Sequence, residues 1–311
     1  GYLWLYERVK KAPNKCHAER GKEICQQSMS ATSVKKTVIL FNKKRLTVYG
    51  CDVTGDGACA LYAMSAGALL PVVDDVSAFN QRVTNLFGYQ ASRGRSEVRR
   101  LINNYRRNPD PNELCQGVFK RLVNTALRTR ITNYIEKNKV VKPTGSTETY
   151  AELLVNGQQE HYKYVSANGK TQRTKCSKLG FDALLNKLKN NWDEWAGTPA
   201  MMAVSEILQT PVHQYQHQQL KEDQSANLIE GFRHVPKSCR KNAVPITLFF
   251  NGIDHYRVLL QPEFLELGQT SSKQRSQSSR VNSVKGTQFN PIKTNDTTYS
   301  QEDAKIYGRW Q

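Results

Sequence analysis

No stretch of this chain approaches the ~18 consecutive apolar residues that a membrane-spanning helix needs. The apolar start Gly1-Tyr2-Leu3-Trp4-Leu5-Tyr6 is too short for the core of a secretory signal, and Glu7, Arg8, Lys10 and Lys11 follow it directly. Paired cysteines are missing as well. The seven present are Cys16, Cys25, Cys51, Cys59, Cys115, Cys176 and Cys239, an odd number with no CxxC pair. That argues against a disulfide framework and a zinc ribbon, and favours free thiols in a reducing, cytoplasmic compartment. Acidic residues are few, 27 against 45 Lys and Arg, which leaves a net charge of +18. Such a chain is drawn to anionic surfaces, yet no recognised nucleic-acid motif accompanies the charge. Apolar residues make up only 38% of the 311, so part of the length is expected in loops or tails. The length itself allows one large domain or two modest ones. A start at Gly1 rather than Met is expected of a segment from within a longer protein.

Along the chain, residues 1–34 form a Lys-rich extension. Thr37–Phe41 and Leu46–Tyr49 read as two strands around the polar turn Asn42-Lys43-Lys44. The turn Thr54-Gly55-Asp56-Gly57 follows. Cys59 to Leu70 is then an apolar helix ended by Pro71. Residues 74–142 read as a basic helical subdomain: Val98, Leu101, Ile102 and Tyr105 share a helical period, as do Val118, Leu122 and Ala126, then Ile131 and Ile135. The stretch from Thr149 to Val165 does not resolve into one element type. Phe181–Leu188 is an amphipathic helix. Thr198 is expected to cap a helix running from Pro199 through Leu208, and Pro211–Tyr215 is a short strand. Residues 216–237 read as a polar surface loop. Ile246–Phe250 and Tyr256–Leu260 form a hairpin about Asn251-Gly252. Beyond Gly268 the Ser/Gln/Lys/Thr-rich sequence reads as a tail.

The chemistry concentrates on two residues. Cys59 follows a Gly turn and opens an apolar helix. There, the helix dipole and the unpaired first-turn N–H groups favour the thiolate, which is the nucleophilic form. The Gly57 turn lets those N–H groups converge on one spot, which can hold the oxyanion of a tetrahedral intermediate. His255 begins the second hairpin strand, where it can reach a helix N-terminus and act as general base, then general acid. His17, His161, His217 and His234 sit in polar contexts, and His213 lies on a buried strand as a core residue.

Three pieces in order carry a resemblance: Gly55-Asp56-Gly57-Ala58-Cys59 through Met64; Trp195-Ala196-Gly197 through Ala203, Leu208, Pro211, Val212 and Tyr215; and Leu248-Phe249-Phe250-Asn251-Gly252-Ile253-Asp254-His255-Tyr256. Together they resemble the ovarian tumour (OTU) family of cysteine peptidases, which remove ubiquitin, over roughly residues 35–70 and 178–262. The resemblance implies an α/β, papain-like fold: a small central sheet flanked by helices. The domain would span 35–265, with 74–142 as an inserted helical lobe and 266–311 as a tail or linker. A lobe in that place is similar to the arrangement in some bacterial effector OTU enzymes, which would put the protein in a host cytosol. Cys59 is then the implied nucleophile and His255 the proton shuttle, with the backbone N–H groups of Asp56, Gly57 and Cys59 around the oxyanion. Ubiquitin or polyubiquitin is the implied partner, the chain a monomer, and no metal or organic cofactor is implied.

Two positions depart from the family pattern. Ala58 stands where Asn is usual, and Arg257 stands where many members carry the Asn or Asp that orients the imidazole; a cation cannot accept that N–H. The orienting acid then comes from Asp52, on the strand before the turn, or from Asp56, which also suits an Asx-type bond fixing the loop. Asp254 alternates to the face opposite His255. The arginines crowding 93–130 form either a solvated face or a docking surface for ubiquitin or another anionic partner. Two other readings stay open: a catalytically silent OTU-like ubiquitin-binding module, and a basic nucleic-acid-binding protein.

Overall fold

A computed structural model of the chain describes residues 34–41, 43–158, 161–165, 171–175, 178–217, 228–239, 243–252 and 255–267. The expectations for the N-terminal extension, for Ile253 and Asp254, and for the chain beyond residue 267 lie outside the described residues. β1 (Val34–Phe41) and β2 (Lys44–Cys51) form an antiparallel hairpin. After the turn comes α1 (Cys59–Leu69), followed by a 3₁₀ turn at Leu70–Val72. α2 (Val76–Phe87), α3 (Arg95–Arg107), the short α4 (Pro111–Leu114) and α5 (Gly117–Arg121) lead into a π-helical turn at Leu122–Leu127. α6 (Arg128–Lys137), α7 (Tyr150–Asn156), β3 (His161–Val165), β4 (Thr171–Lys175), α8 (Phe181–Asn190) and α9 (Thr198–Leu208) follow. The chain then returns to the sheet with β5 (Val212–Gln216), β6 (Ile229–His234), β7 (Ile246–Phe250) and β8 (Tyr256–Leu260).

The main sheet has the order β1-β2-β8-β7-β5-β6. Every pair is antiparallel except β5 with β7. The sheet curls until its edges meet: Ile39 bridges Leu228, and the Leu228 N–H donates to the Val38 carbonyl at 3.2 Å. The fold is therefore α/β, a small central sheet flanked by helices, as the sequence leads one to expect.

Side-chain alternation gives the sheet two apolar faces. Val258 and Leu260 join the large core under the helices, whereas Leu259 joins Ile39, Val48, Tyr215 and Leu228 in a second cluster. α1 is buried on all sides, which suits a helix with no charged residue. Its Gly67 lets it lie close on the sheet, since a Cβ there would come 3.0 Å from Ile246 Cγ2. Each fully buried Leu of α1, such as Leu61 and Leu69, adds about 1.5–3 kcal/mol. The helices of residues 74–142 bury Phe79, Leu101, Phe119 and Ile131 in the same continuous core as α1 and the sheet. Among the described residues no helix is long and apolar enough to cross a membrane.

Local expectations change in three places. Gly197, not Thr198, is the N-cap of α9, and no side chain caps that end; Thr198 and Pro199 lie in the first turn. The stretch read as a loop over 216–237 includes β6, which pairs with β5 and buries His234. Its Gly231 and charged residues hide the strand pattern. The unresolved stretch after Thr149 opens with α7, started by a capping box in which Thr149 and Glu152 satisfy each other's backbone N–H.

Candidate active site

β2 pairs with β8 so that Cys51 faces Val258. Asp52 directly follows β2 and His255 directly precedes β8, at the same end of this pair. The acid after one strand and the histidine before the other are thus brought together although far apart in the chain. Asp52 Oδ1 lies 2.6 Å from His255 Nε2 and also accepts the Val53 N–H at 3.0 Å. Arg257 Nε stands 3.7 Å from the same oxygen. The backbone carbonyl of Asp52 accepts a hydrogen bond from the buried Tyr105 hydroxyl at 2.6 Å, so α3 fixes the strand end. Arg257, which cannot orient an imidazole, lies instead beside the Asp52 side chain that hydrogen-bonds the His255 ring.

His255 is held from behind by Asn251. The His255 N–H donates to Asn251 Oδ1 at 3.0 Å, and the Asn251 N–H donates to the His255 carbonyl at 3.0 Å. Beside it, Phe250 and Tyr256 stack at 4.8 Å, with Trp195 about 6 Å from both rings. Cys59, at the start of α1, interacts with the His255 ring and helps raise its pKa. With Nε2 taken by Asp52, Nδ1 is the nitrogen left for the sulfur. Burial disfavours a charged imidazole here, but the hydrogen bond to Asp52 and the interaction with Cys59 outweigh it and raise the His255 pKa to about 9. The ring is therefore held as an imidazolium at neutral pH, between Asp52 and Cys59.

Cys59 is the first residue of α1, where N–H groups have no partner within the helix. The turn before it is reversed at Gly57, with φ of 87°. Asp56 does not reach the ring. Its Oδ1 accepts the Ala58 N–H at 3.2 Å and its Oδ2 faces the Cys115 thiol at 3.5 Å, an Asx-type brace of the turn. Burial pushes its carboxyl pKa up. The site is tight: Cys59 is 0% exposed, and the Asp193 carbonyl lies so close that a Cβ on Gly57 would come 2.5 Å from it.

The other thiols and histidines have different surroundings. Burial pushes the Cys51 thiol up to about 12, which keeps it protonated. His213 is fully buried, and burial together with Arg233 lowers its pKa to about 3, leaving a neutral core residue. His234, read from sequence as a loop residue, is buried on β6 with Nε2 3.0 Å from Glu206 Oε1.

Several arginines read as a docking face are engaged within the fold. Arg99 donates to the Val73 carbonyl, Arg106 bridges Asp74 at 2.8 Å and Glu266 at 2.6 Å, and Arg107 meets Glu266. Arg128 is 0% exposed. Sequence reasoning missed Tyr105, Asn251 and Arg128 as parts of this site. Each left only a local trace: Tyr105 shares the period of Val98, Leu101 and Ile102, Asn251 opens the hairpin turn, and Arg128 precedes Ile131 and Ile135 by three and seven residues.

No protein-family model and no curated protein matches the chain. Among solved structures it is similar to the h/ceOTUB1–ubiquitin aldehyde–UBC13~Ub complex, with a TM-score of 0.40 at 11% identity over 78% of this chain and 96% of that one. It is similar to the ceOTUB1–ubiquitin aldehyde–UBC13~Ub complex, with a TM-score of 0.38 at 11% identity over 82% and 90%. It is also similar to the h/ceOTUB1–ubiquitin aldehyde–UBCH5B~Ub complex, with a TM-score of 0.40 at 10% identity over 79% and 96%.

Proposed function

We propose that this chain is a cysteine-dependent hydrolase of the OTU type that cleaves isopeptide bonds after the C-terminus of ubiquitin. The observation that carries the reading is His255, hydrogen-bonded to Asp52 at 2.6 Å and electrostatically coupled to Cys59 at the start of α1. The ubiquitin specificity rests on the resemblance of the Asp56–Cys59 turn, the Trp195–Gly197 stretch and the His255 hairpin to that family.

In this mechanism the Cys59 thiolate attacks the carbonyl carbon of the scissile bond. The oxyanion forms against the N–H groups of the Asp56–Cys59 turn. The imidazolium of His255 gives its proton to the leaving lysine amine, and a thioester remains on Cys59. His255, now neutral, takes a proton from water. The resulting attack returns the thiolate and releases ubiquitin as a carboxylate. Asp52 orients the ring and stabilises its charged form, and Asp56 shapes the turn without touching the imidazole.

Cys59→Ala should abolish both hydrolysis of a ubiquitin–aminocoumarin substrate and labelling by an electrophilic ubiquitin probe, with the fold intact. Unchanged turnover in that variant would discard the mechanism. One feature favours a second reading, a silent ubiquitin-binding domain: Cys59 is fully covered and Asp193 lies against Gly57 of the turn. A parent chain that binds ubiquitin but is never labelled by the probe would support it.

A further inference from the structure

Arg128 opens α6 directly after the π-helical turn, a distortion that re-aims side chains and recurs at functional sites. It is among the largest fully buried side chains of the fold. Burial lowers its pKa to about 10, so it keeps its charge at neutral pH. Its guanidinium donates to three backbone carbonyls: Nη1 to Leu188 at 3.0 Å, and Nη2 to Trp192 and Glu194 at 2.9 Å each. Its Nε faces Asn124 Oδ1 at 3.4 Å. A buried cation costs several kcal/mol of desolvation, which carbonyl dipoles offset only with good geometry. An apolar side chain would fill the space more cheaply, so what the cation reaches needs an account.

Two arms leave it, and both end on the same turn. The first is the clamped loop. With Trp192 and Glu194 held, the Asp193 carbonyl between them lies against Gly57. The second is a chain of side-chain contacts. Asn124 Nδ2 donates to the Tyr62 hydroxyl at 3.0 Å, and that hydroxyl faces Cys115 Sγ at 3.9 Å. The Cys115 thiol faces Asp56 Oδ2 at 3.5 Å, and Asp56 Oδ1 holds the Ala58 N–H. None of these hydrogen bonds involves His255 or Asp52.

We propose that Arg128 is the positioning residue of the Asp56–Cys59 turn, setting from both sides the backbone N–H groups that receive the oxyanion. The proposal rests on the reading of the site as an acyl-transfer centre. It separates two properties of Cys59: thiolate formation depends on the Asp52–His255 pair, and oxyanion stabilisation depends on Arg128.

The test uses the full chain, with Cys59→Ala as background for the other thiols. Alkylation of Cys59 by iodoacetamide needs the thiolate and access to the sulfur, but no oxyanion donors. Acylation by p-nitrophenyl acetate, in which the sulfur attacks the ester carbon and p-nitrophenolate leaves, needs the oxyanion donors as well. Lysine at position 128 keeps the charge but cannot span three carbonyls. Arg128→Lys should therefore slow acylation by ~10²-fold, as expected when reacting geometry is misplaced by about 1 Å. Alkylation should not slow, and its pH profile should stay unchanged. Tyr62→Phe retains the ring and cuts only the second arm, so it should slow acylation by roughly tenfold. If Arg128→Lys fails to fold, Tyr62→Phe decides alone. Acylation at the parent rate in the folded variants, or alkylation falling in parallel with it, overturns the proposal. A parent that is acylated by the ester but ignores ubiquitin–aminocoumarin sinks the ubiquitin reading and leaves the Arg128 proposal standing. A parent that is alkylated but never acylated overturns both.

Discussion

Replacing Asp52 by asparagine and by alanine separates the two things its carboxylate does for His255. The 2.6 Å contact is both an acceptor that fixes the ring and a charge that stabilises the imidazolium. Asparagine keeps an acceptor oxygen and loses the charge. A charge-assisted hydrogen bond contributes ~1.5–3 kcal/mol against ~0.5–1.5 for a neutral one, so the variant loses about 1–1.5 kcal/mol, near tenfold in rate. Alanine removes the acceptor, frees the ring and leaves the Val53 N–H unpaired. Its kcat/KM should fall by ~10²–10⁴, the range expected when a general acid–base is lost. The pH profile carries the sign. With the His255 pKa at about 9, activity should hold to that pH and decline above it as the imidazolium deprotonates. Loss of the Asp52 charge lowers the folded-state pKa, so the alkaline limb of Asp52→Asn should move down by about one pH unit. The assay is fluorophore release from ubiquitin–aminocoumarin between about pH 5 and 10, with Cys59 alkylation as a substrate-independent control. Alanine behaving no worse than asparagine, or Asp56→Ala displacing the alkaline limb instead, would refute the assignment of Asp52.

Gly57→Ala should destabilise the protein by at least about 2 kcal/mol and abolish acylation, because φ of 87° strains any other residue and the new Cβ meets the Asp193 carbonyl; urea melts with an acylation assay check this. Arg106→Leu should cost about 1–3 kcal/mol of stability through its lost bonds to Asp74 and Glu266 and leave KM unchanged; a raised KM at full stability would restore the docking-face reading. The folded-state pKa of His255 is raised, so its contribution to stability is complete below about pH 6.5 and is lost as pH rises through about 9. Up to about 3 kcal/mol should disappear from the urea-derived stability across that window. A pH-independent stability there would show that the charged ring adds nothing to folding.

Features governed by neighbours in the chain were legible without a structure. The Gly57 reversal, the apolar α1, the helical periods over 98–135 and the β7–β8 hairpin at Asn251-Gly252 are set by backbone preference and side-chain period over a few residues. Cys59 and His255 stood out for the same reason: a thiol at a helix start and a histidine beside a hairpin turn are local patterns. Where local cues were weak or contradictory, the reading failed. β6, with glycine and charges among its six residues, passed for a loop. Gly197 rather than the hydroxyl of Thr198 took the cap position of α9.

The sequence by itself singled out Cys59 as the candidate nucleophile and His255 as the candidate proton shuttle, with the elements that carry them. It pointed to Asp52 as the orienting acid and kept Asp56 as the alternative, better suited to bracing its own turn. Only the pairing of β2 with β8 decided that question, because it sets Asp52 against a histidine 203 residues away and leaves Asp56 bracing its own turn. Tertiary packing likewise decided the fate of the arginines. In the sequence Arg128 is one basic residue among ten; in the fold it is buried and holds carbonyls 60–66 residues downstream. Charge is written in the composition, but whether a charge faces water or a ring of carbonyls depends on contacts between distant segments, and these exist only once the chain has closed on itself.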